Sequence, residues 1–200
     1  MIKKLLQLKD KILDNAAIFN LVRTITDSRS HNIGIIKKEL KAKKNEKILD
    51  IGCGLGNFSG VTGGDYTGID ANQSFIKFAN RHYRNANKKF MVMDAKKLQF
   101  KDKFFDKSIF ISMLHHFSDK ESEKILKEIQ RVTKKQLLVL DLLPTKRKFI
   151  NFLYKMDRGS NIRPIEEQFE LIRQYFKIEK YKKFEALMSV HSLILCRPLK

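Results

Sequence analysis

Apolar residues along this chain fall into two kinds of run. Between Lys47 and Leu143, short strand-like runs alternate with stretches whose apolar positions recur every three or four residues. KILDI (47–51), DYTGID (65–70), KFMVMD (89–94), FDKSIFIS (105–112) and QLLVLDLL (136–143) read as strands. The last is apolar throughout, as a strand covered on both faces should be. QSFIKFANRHYR (73–84) has helical spacing, with Phe75, Phe78, Ala79 and His82 on one side. DKESEKILKEIQRVTKK (119–135) is an amphipathic helix, with Asp119 as expected N-cap and a stripe of Ile125, Leu126, Ile129 and Val132. Helical stretches are expected at about 146–156 and 165–175. FKIEKYKKF (176–184) and HSLILCRP (191–198) then read as an antiparallel strand pair. Ahead of the alternating region, residues 1–25 place Leu5, Leu8, Ile12, Phe19 and Val22 on one broad face, and a second helix is expected at about 31–43. Strands alternating with helices predict an α/β fold, a mostly parallel sheet doubly wound by helices on both faces.

No repeat, low-complexity tract or Pro/Gly linker divides the 200 residues, and all three prolines follow residue 143. The expected organisation is one domain, 1–200. It comprises a helical N-terminal arm (1–44), a core (45–144), an insert (145–175) and a closing strand pair (176–200). Charge changes the picture more than composition does. Lys+Arg is 41 against Asp+Glu 22, a formal +19. Such a field admits a polyanion partner: nucleic acid, anionic lipid headgroups or an acidic substrate. Codon bias explains it equally well, because 31 of the 41 are Lys and the chain is also rich in Ile, Asn and Phe, all with AT-rich codons. The first helix carries Asp10 and Asp14, which dilute its basic face and favour packing on its own domain over lying on a membrane. No long apolar run predicts a transmembrane segment, and the charged start has no signal-peptide h-region. Cys53 and Cys196 have no metal-type spacing and form no disulfide framework, so a cytoplasmic setting is expected. Oligomeric state is left open.

The most informative segment is LDIGCGLGNF (49–58), where a strand runs into Gly52, Gly54 and Gly56. Such a turn lets a ligand approach main-chain amides without a Cβ in the way. It is not a dinucleotide fingerprint, because Asn57 stands where G-x-G-x-x-G needs its last glycine, and no Gly-Lys-Ser/Thr of a P-loop follows. The pattern is G-x-G-x-G directly after Asp50. That acid suits the cationic amino end of a ligand and would repel a pyrophosphate. Asp70 ends the second strand, where an acid accepts hydrogen bonds from ribose hydroxyls. Asp94 ends the third, where an adenine amino group would need an acceptor. Three acids at three successive strand ends point to one crevice.

ILDIGCGLG (48–56), YTGID (66–70), VMDA (92–95), FDKSIFISMLHHF (105–117) and LLVLDLLP (137–144) together resemble the class I S-adenosylmethionine-dependent methyltransferases. That resemblance implies a Rossmann-like sheet of seven strands with the last antiparallel. It implies S-adenosyl-L-methionine as cofactor and S-adenosyl-L-homocysteine as product. By position, Asp50 and the turn Gly52, Cys53, Gly54 and Gly56 would meet the methionine part. Asp70 would hold the ribose, flanked by Ala71 and Asn72, while Asp94 and Ala95 would meet the adenine. Ser112 and Met113 would line the floor near the sulfonium. One departure stands out: only NFSGVTGGD separates Gly56 from Tyr66, so the helix normally found there shrinks to one or two turns.

Methyl transfer from an activated cofactor needs alignment and desolvation more than acid–base help. If the acceptor must lose a proton, His115 and His116, just past the fourth strand, are the candidate catalytic bases. The alternative is that they only pack and hydrogen-bond there. Asp141 has no second acidic cluster nearby, so no metal is expected. SMLHHF lacks the Pro-Pro-aromatic motif of base N-methyltransferases. The insert TKRKFINFLYKMDRGSNIRPIEEQF (145–169) mixes basic and aromatic residues; Arg158 and Arg163 either clamp an anion or belong to a solvated cap. The expected function is methyl transfer by in-line displacement to a small-molecule or lipid-linked acceptor. The alternatives are an RNA methyltransferase, or a non-catalytic methyltransferase-like subunit that binds a polyanion.

Overall fold

A computed structural model of the chain describes residues 29–146, 161–186 and 189–199. The helices expected at 1–25 and about 146–156 lie outside these residues. Elsewhere the elements run α1 (Arg29–Leu40), β1 (Lys47–Ile51), β2 (Asp65–Asp70), α2 (Gln73–Tyr83), β3 (Lys88–Val92), β4 (Phe105–Ile111), a 3₁₀ turn (Leu114–His116), α3 (Asp119–Val132), β5 (Thr133–Leu142), α4 (Ile165–Arg173), β6 (Phe176–Ala186) and β7 (Ser189–Pro198). The seven strands form one sheet in the order β3-β2-β1-β4-β5-β7-β6. β1 pairs in parallel with β2 and β4, β2 with β3, and β4 with β5; β7 runs antiparallel to both β5 and β6. This is the predicted Rossmann-like α/β sheet. Its strand order reverses between β1 and β4, so the crevice for a ligand lies outside the carboxyl ends of those two strands.

Strand alternation divides the core into two layers. Leu49, Ile51, Phe110, Leu137, Val139 and Ile194 face α3 and α4, where Ile125, Leu126, Ile129, Val132, Leu171 and Ile172 meet them. Ile48, Ile109, Ile111, Leu138, Leu140 and Leu193 face the other way, onto Ile36 and Leu40 of α1 and Ile76 and Ala79 of α2. The crossover after the glycine turn is shorter than expected. It forms no helix, only successive turns closed by Gly56 N–H to Cys53 O, Ser59 N–H to Gly56 O and Val61 N–H to Phe58 O. Phe58 and Val61 from this crossover share the second layer with α1, so the arm covers the sheet where the crossover cannot. The end of α1 is satisfied by a buried cation. Lys107 Nζ donates to Leu40 O (2.8 Å) and Lys41 O (3.1 Å) and pairs with Glu46 (3.1 Å).

Two local expectations are corrected. The N-cap of α3 is Ser118, not Asp119, and the Glu121 carboxylate reaches back to Ser118 N (3.2 Å) and Oγ (2.9 Å). That helix also ends at Val132, with the strand starting at β-branched Thr133. On α2 the buried side chains are Phe75, Ile76 and Ala79. Phe78 is half-buried and His82 exposed, because the face pressed on the sheet is turned toward Ile76.

Candidate functional site

The glycine turn sits at the carboxyl end of β1 with Gly52, Gly54 and Gly56 at φ of 71°, 52° and 79°. Gly52 N and Cys53 N both donate to Ile69 O (2.8 and 2.9 Å), which binds the turn to the end of β2. A Cβ on Gly52 would lie 2.4 Å from Met113 Sδ, so the Met113 side chain packs directly on the turn, and the positive φ there favours glycine. A Cβ on Gly54 would meet nothing within 4 Å. That backbone faces open space.

Asp70 links the two sides of this opening. Its Oδ2 accepts from Gly54 N (2.9 Å) and its Oδ1 from Asn72 N (2.8 Å). Burial raises its carboxyl above the usual range, against those two hydrogen bonds. Ala71 is exposed and Asn72 caps α2, its Oδ1 accepting from Ser74 N (2.9 Å) and Phe75 N (3.3 Å). At the end of β3, Val92 is 52% exposed, a large apolar surface turned to solvent. Asp94 is exposed, its Oδ1 accepting from Lys96 N (2.8 Å), and Ala95 is half-buried.

Asp50 lies beneath the turn, 1% exposed, with the Tyr66 hydroxyl donating to it. Burial pushes its carboxyl up to about 7; the Tyr66 hydrogen bond opposes the shift and the Asp70 charge adds to it. Cys53 is buried and its thiol is raised well above the ordinary value, first by burial and then by the charges of Asp50 and Asp70. It is therefore a packing thiol.

On the far side of β4 the construction changes. Ser112 takes φ 52°, a left-handed conformation rare outside glycine, with its N–H on Leu140 O (2.7 Å). His115 is 2% exposed; its Nδ1 donates to Asp141 Oδ1, and its backbone N–H to Asp141 Oδ2 (3.2 Å). His116 is half-buried, its ring 4.2 Å from that of His115. Arg163, 6% exposed, locks the loop from behind. It donates to Leu114 O (3.1 Å), Asn161 O (3.0 Å) and Phe117 O (2.7 Å), and pairs with Asp119 (2.7 Å). Gln168 and Ser192 continue the network, Ser192 Oγ donating to Gln168 Oε1 (2.6 Å) and Gln168 Nε2 to Leu142 O (2.9 Å).

Residues 49–139 match the model of a methyltransferase domain. This region is a methyltransferase domain, with the Rossmann-like fold of the class I S-adenosylmethionine-dependent enzymes. It is 34% identical over 116 residues, 56% of its length, to a probable tRNA methyltransferase 9B of Mus musculus. It is 26% identical over 153 residues, 73% of its length, to a demethylmenaquinone methyltransferase of Thermotoga maritima. The chain spans 25% of the first relative and 65% of the second. Among solved structures, the PH0226 protein of Pyrococcus horikoshii superposes with a TM-score of 0.70 at 25% identity, over 86% of this chain and 92% of that one.

The methyltransferase family uses S-adenosylmethionine, and the residues present fit that group. Gly54 leaves the space a ligand backbone would take. A carboxylate offers about four lone-pair sites, and Asp70 uses two on amides. The pair left over suits two ribose hydroxyls. The three acids singled out in the sequence stand at neighbouring strand ends on one edge of the sheet, whereas Tyr66 beneath Asp50 was not anticipated and Arg163 was given another role. Tyr66 is one strand away from Asp50, a proximity that only the β1–β2 register creates. Arg163, expected to clamp an anion or sit in solvent, is instead taken up by main-chain carbonyls; a lone arginine in a loop carries no sign of that.

Proposed function

We propose that this methyltransferase domain binds S-adenosylmethionine across the carboxyl ends of β1, β2 and β4 and serves a small acceptor, anionic or lipid-linked. The observation that carries the reading is the Asp70 carboxylate bridging Gly54 N and Asn72 N at the carboxyl end of β2, beside the switch point of the sheet. In this reading the methionine end lies along the open backbone of Gly52, Cys53, Gly54 and Gly56, whose amides Ile69 O, Asp70 and Cys53 O hold in place, with the Asp50–Tyr66 pair closed off beneath them. Asp70 takes the ribose, next to Ala71 and Asn72. Val92, Asp94 and Ala95 meet the adenine, the exposed valine giving the ring an apolar face. Ser112 and Met113 floor the reacting end, and the αL strain at Ser112 fits a functional loop.

When bound, the cofactor supplies a methyl carbon whose bond to the sulfonium sulfur breaks as an acceptor lone pair attacks in line, leaving the thioether S-adenosylhomocysteine. The chain's own residues align, desolvate and exclude water. His115 is a positioning residue here: Asp141 fixes its ring and so the loop from Ser112 to Phe117. His116, the more exposed of the two, is the imidazole an acceptor can reach, and it serves as base where the acceptor must lose a proton.

A small or lipid-linked acceptor is supported by the proline-free SMLHHF loop and by the demethylmenaquinone relative, which aligns over 73% of the chain. RNA is the second reading, favoured by the 34% identity to the tRNA methyltransferase relative. Incubation with methyl-labelled S-adenosylmethionine and an extract of source cells, followed by fractionation, separates them. Label in lipid or small molecules supports the first reading and label in RNA the second. Label in no fraction, with cofactor binding intact, leaves a non-catalytic subunit. Titration of S-adenosylhomocysteine tests the site itself: Asp70→Ala weakens binding by about 1–3 kcal/mol, roughly 5- to 150-fold. Wild-type affinity in that variant removes Asp70 from the ribose.

A further inference from the structure

Several cations on this surface are paired with acids. Lys180 and Lys182 share Glu39, Lys135 pairs with Glu46 and Asp106, Arg131 with Asp102 and Glu128, and Lys96 with Glu121. By contrast, residues 71–93 contain no acid at all and carry Lys77, Arg81, Arg84, Lys88 and Lys89. Among the described residues none of these five meets a carboxylate. They lie on α2 and on β3, the edge strand of the sheet.

Their arrangement is linear. Lys77, Arg81 and Arg84 recur at helical spacing along the exposed side of α2, about 10 Å end to end at 1.5 Å per residue. Between them His82 stacks on Phe78, ring centroids 3.9 Å apart and 20° from parallel, with His82 exposed. The stripe starts at the crevice, since Asn72 caps α2 directly after Asp70. It ends at a cleft of about 380 Å³ at the amino-terminal ends of β2 and β3, lined by Thr62, Gly63, Gly64, Asn85, Asn87 and Lys88. The Asn87 side-chain amide has no partner among the described residues, and the Lys44 side chain lies beside Gly63.

We propose that the α2–β3 edge is a docking surface for single-stranded RNA, its backbone tracking the Lys77–Arg81–Arg84 stripe and one nucleoside entering the Asn85–Asn87 cleft. Unpaired cations in a row with a flat ring pair between them are what a single strand needs: charge for phosphates and a π-face for bases. The cleft is at the low end of ligand-pocket volumes, about 300–1,000 Å³, which suits one nucleoside. Its exposed Asn85 and Asn87 amides offer partners to a 2′-hydroxyl, the group that separates RNA from DNA. A bilayer is the poorer fit, because the apolar residues of α2 that would insert, Phe75, Ile76 and Ala79, are buried against the sheet. The inference goes beyond the cofactor reading and concerns binding, not turnover, so it stands whichever acceptor is methylated.

The test is fluorescence anisotropy with a labelled oligouridylate of about 12 nucleotides, within the usual site sizes, over a salt series. Two triple variants of equal charge change are compared: Lys77→Glu/Arg81→Glu/Arg84→Glu on α2, and Lys120→Glu/Lys124→Glu/Lys127→Glu on the exposed side of α3. The α2 variant should flatten the plot of log affinity against log salt by about 2, at roughly 0.7 per lost phosphate contact. The α3 variant should keep the wild-type slope. Equal losses in both, wild-type binding indifferent to salt, equal affinity for the matching deoxy-oligonucleotide, or binding to phosphatidylserine vesicles in place of RNA would each overturn the proposal. S-adenosylhomocysteine titration of the α2 variant shows that it is folded. Failure of wild-type protein to bind that ligand would strike the cofactor reading and leave the RNA result intact.

Discussion

From Asp50 to Asp70 the carboxyl edge of the sheet is shaped by main chain: three glycines with positive φ, amides turned onto Ile69 O and onto the Asp70 carboxylate, and open space at Gly54. From His115 to Ser192, two strands away, it is shaped by buried side chains. There His115, Asp141, Arg163, Gln168 and Ser192 are all at most 6% exposed and bonded to one another or to carbonyls. The first region holds carboxylates with capacity left over, and burial makes them weaker acids than usual. The second region engages most of its polar groups in hydrogen bonds and leaves little room. A backbone-lined opening can take a ligand that many family members share. A side-chain scaffold instead fixes the loop from Ser112 to Phe117.

The sharpest way to break that contrast is to vary pH on the glycine side. Asp50 has an ordinary value of 3.8 and is pushed up to about 7 in the fold. Below the lower value it is protonated in both states and costs nothing. Above the upper one it is ionised in both, and burying the charge weighs on the folded state. Its contribution therefore falls as pH rises from about 4 to about 7 and is level outside that window. About three pH units at 1.36 kcal/mol each is about 4 kcal/mol. Asp50→Asn keeps an oxygen for Tyr66 and loses the charge. Urea midpoints should show the variant gaining on wild type by that amount between pH 4 and pH 8. Parallel curves would mean that Asp50 is solvated in solution.

On the other side, Arg163→Met tests whether the network is scaffold. It strands the carbonyls of Phe117 and Asn161 and leaves Leu114 O with only the Phe117 N–H, while Asp119, largely exposed, returns to water. At about 1 kcal/mol or more per buried unpaired group, the loss is about 3 kcal/mol. Affinity for S-adenosylhomocysteine should stay within about twofold, because Arg163 touches nothing on the glycine turn. A tenfold loss of affinity at unchanged stability would reverse the assignment of the two regions.

What the chain declared in advance follows the same division. Strands β1, β4 and β5 were legible because apolar runs bounded by glycine or polar residues have few other uses, and the ends of β1, β2 and β3 set Asp50, Asp70 and Asp94 on one edge. The cap of α3 was legible too and misread: Ser118 followed by Glu121 is a capping pattern, and Asp119 merely stands next to it. The long-range polar pairs were not legible. His115 meets Asp141 across 26 residues and Arg163 meets Phe117 across 46, and neither separation leaves a periodic trace. Charge was legible only as a total. Which lysines are neutralised by Glu39 or Glu46, and which stand bare on α2, depends on packing between distant elements.

The smallest effect separates ligand from scaffold within the glycine turn itself. Gly54→Ala adds a methyl group that meets no protein atom, so its cost to stability is only that of a left-handed alanine, about 1 kcal/mol. The same methyl group projects into the opening where the reading above places the methionine end of the cofactor. Affinity for S-adenosylhomocysteine should fall by about tenfold, some 1.4 kcal/mol, in a protein barely less stable than wild type. Gly52→Ala carries the same backbone strain and also drives its Cβ against Met113, so it should lose stability and affinity together. If the two alanines behave alike, the space beside Gly54 is not the cofactor's, and the ligand lies elsewhere along the crevice.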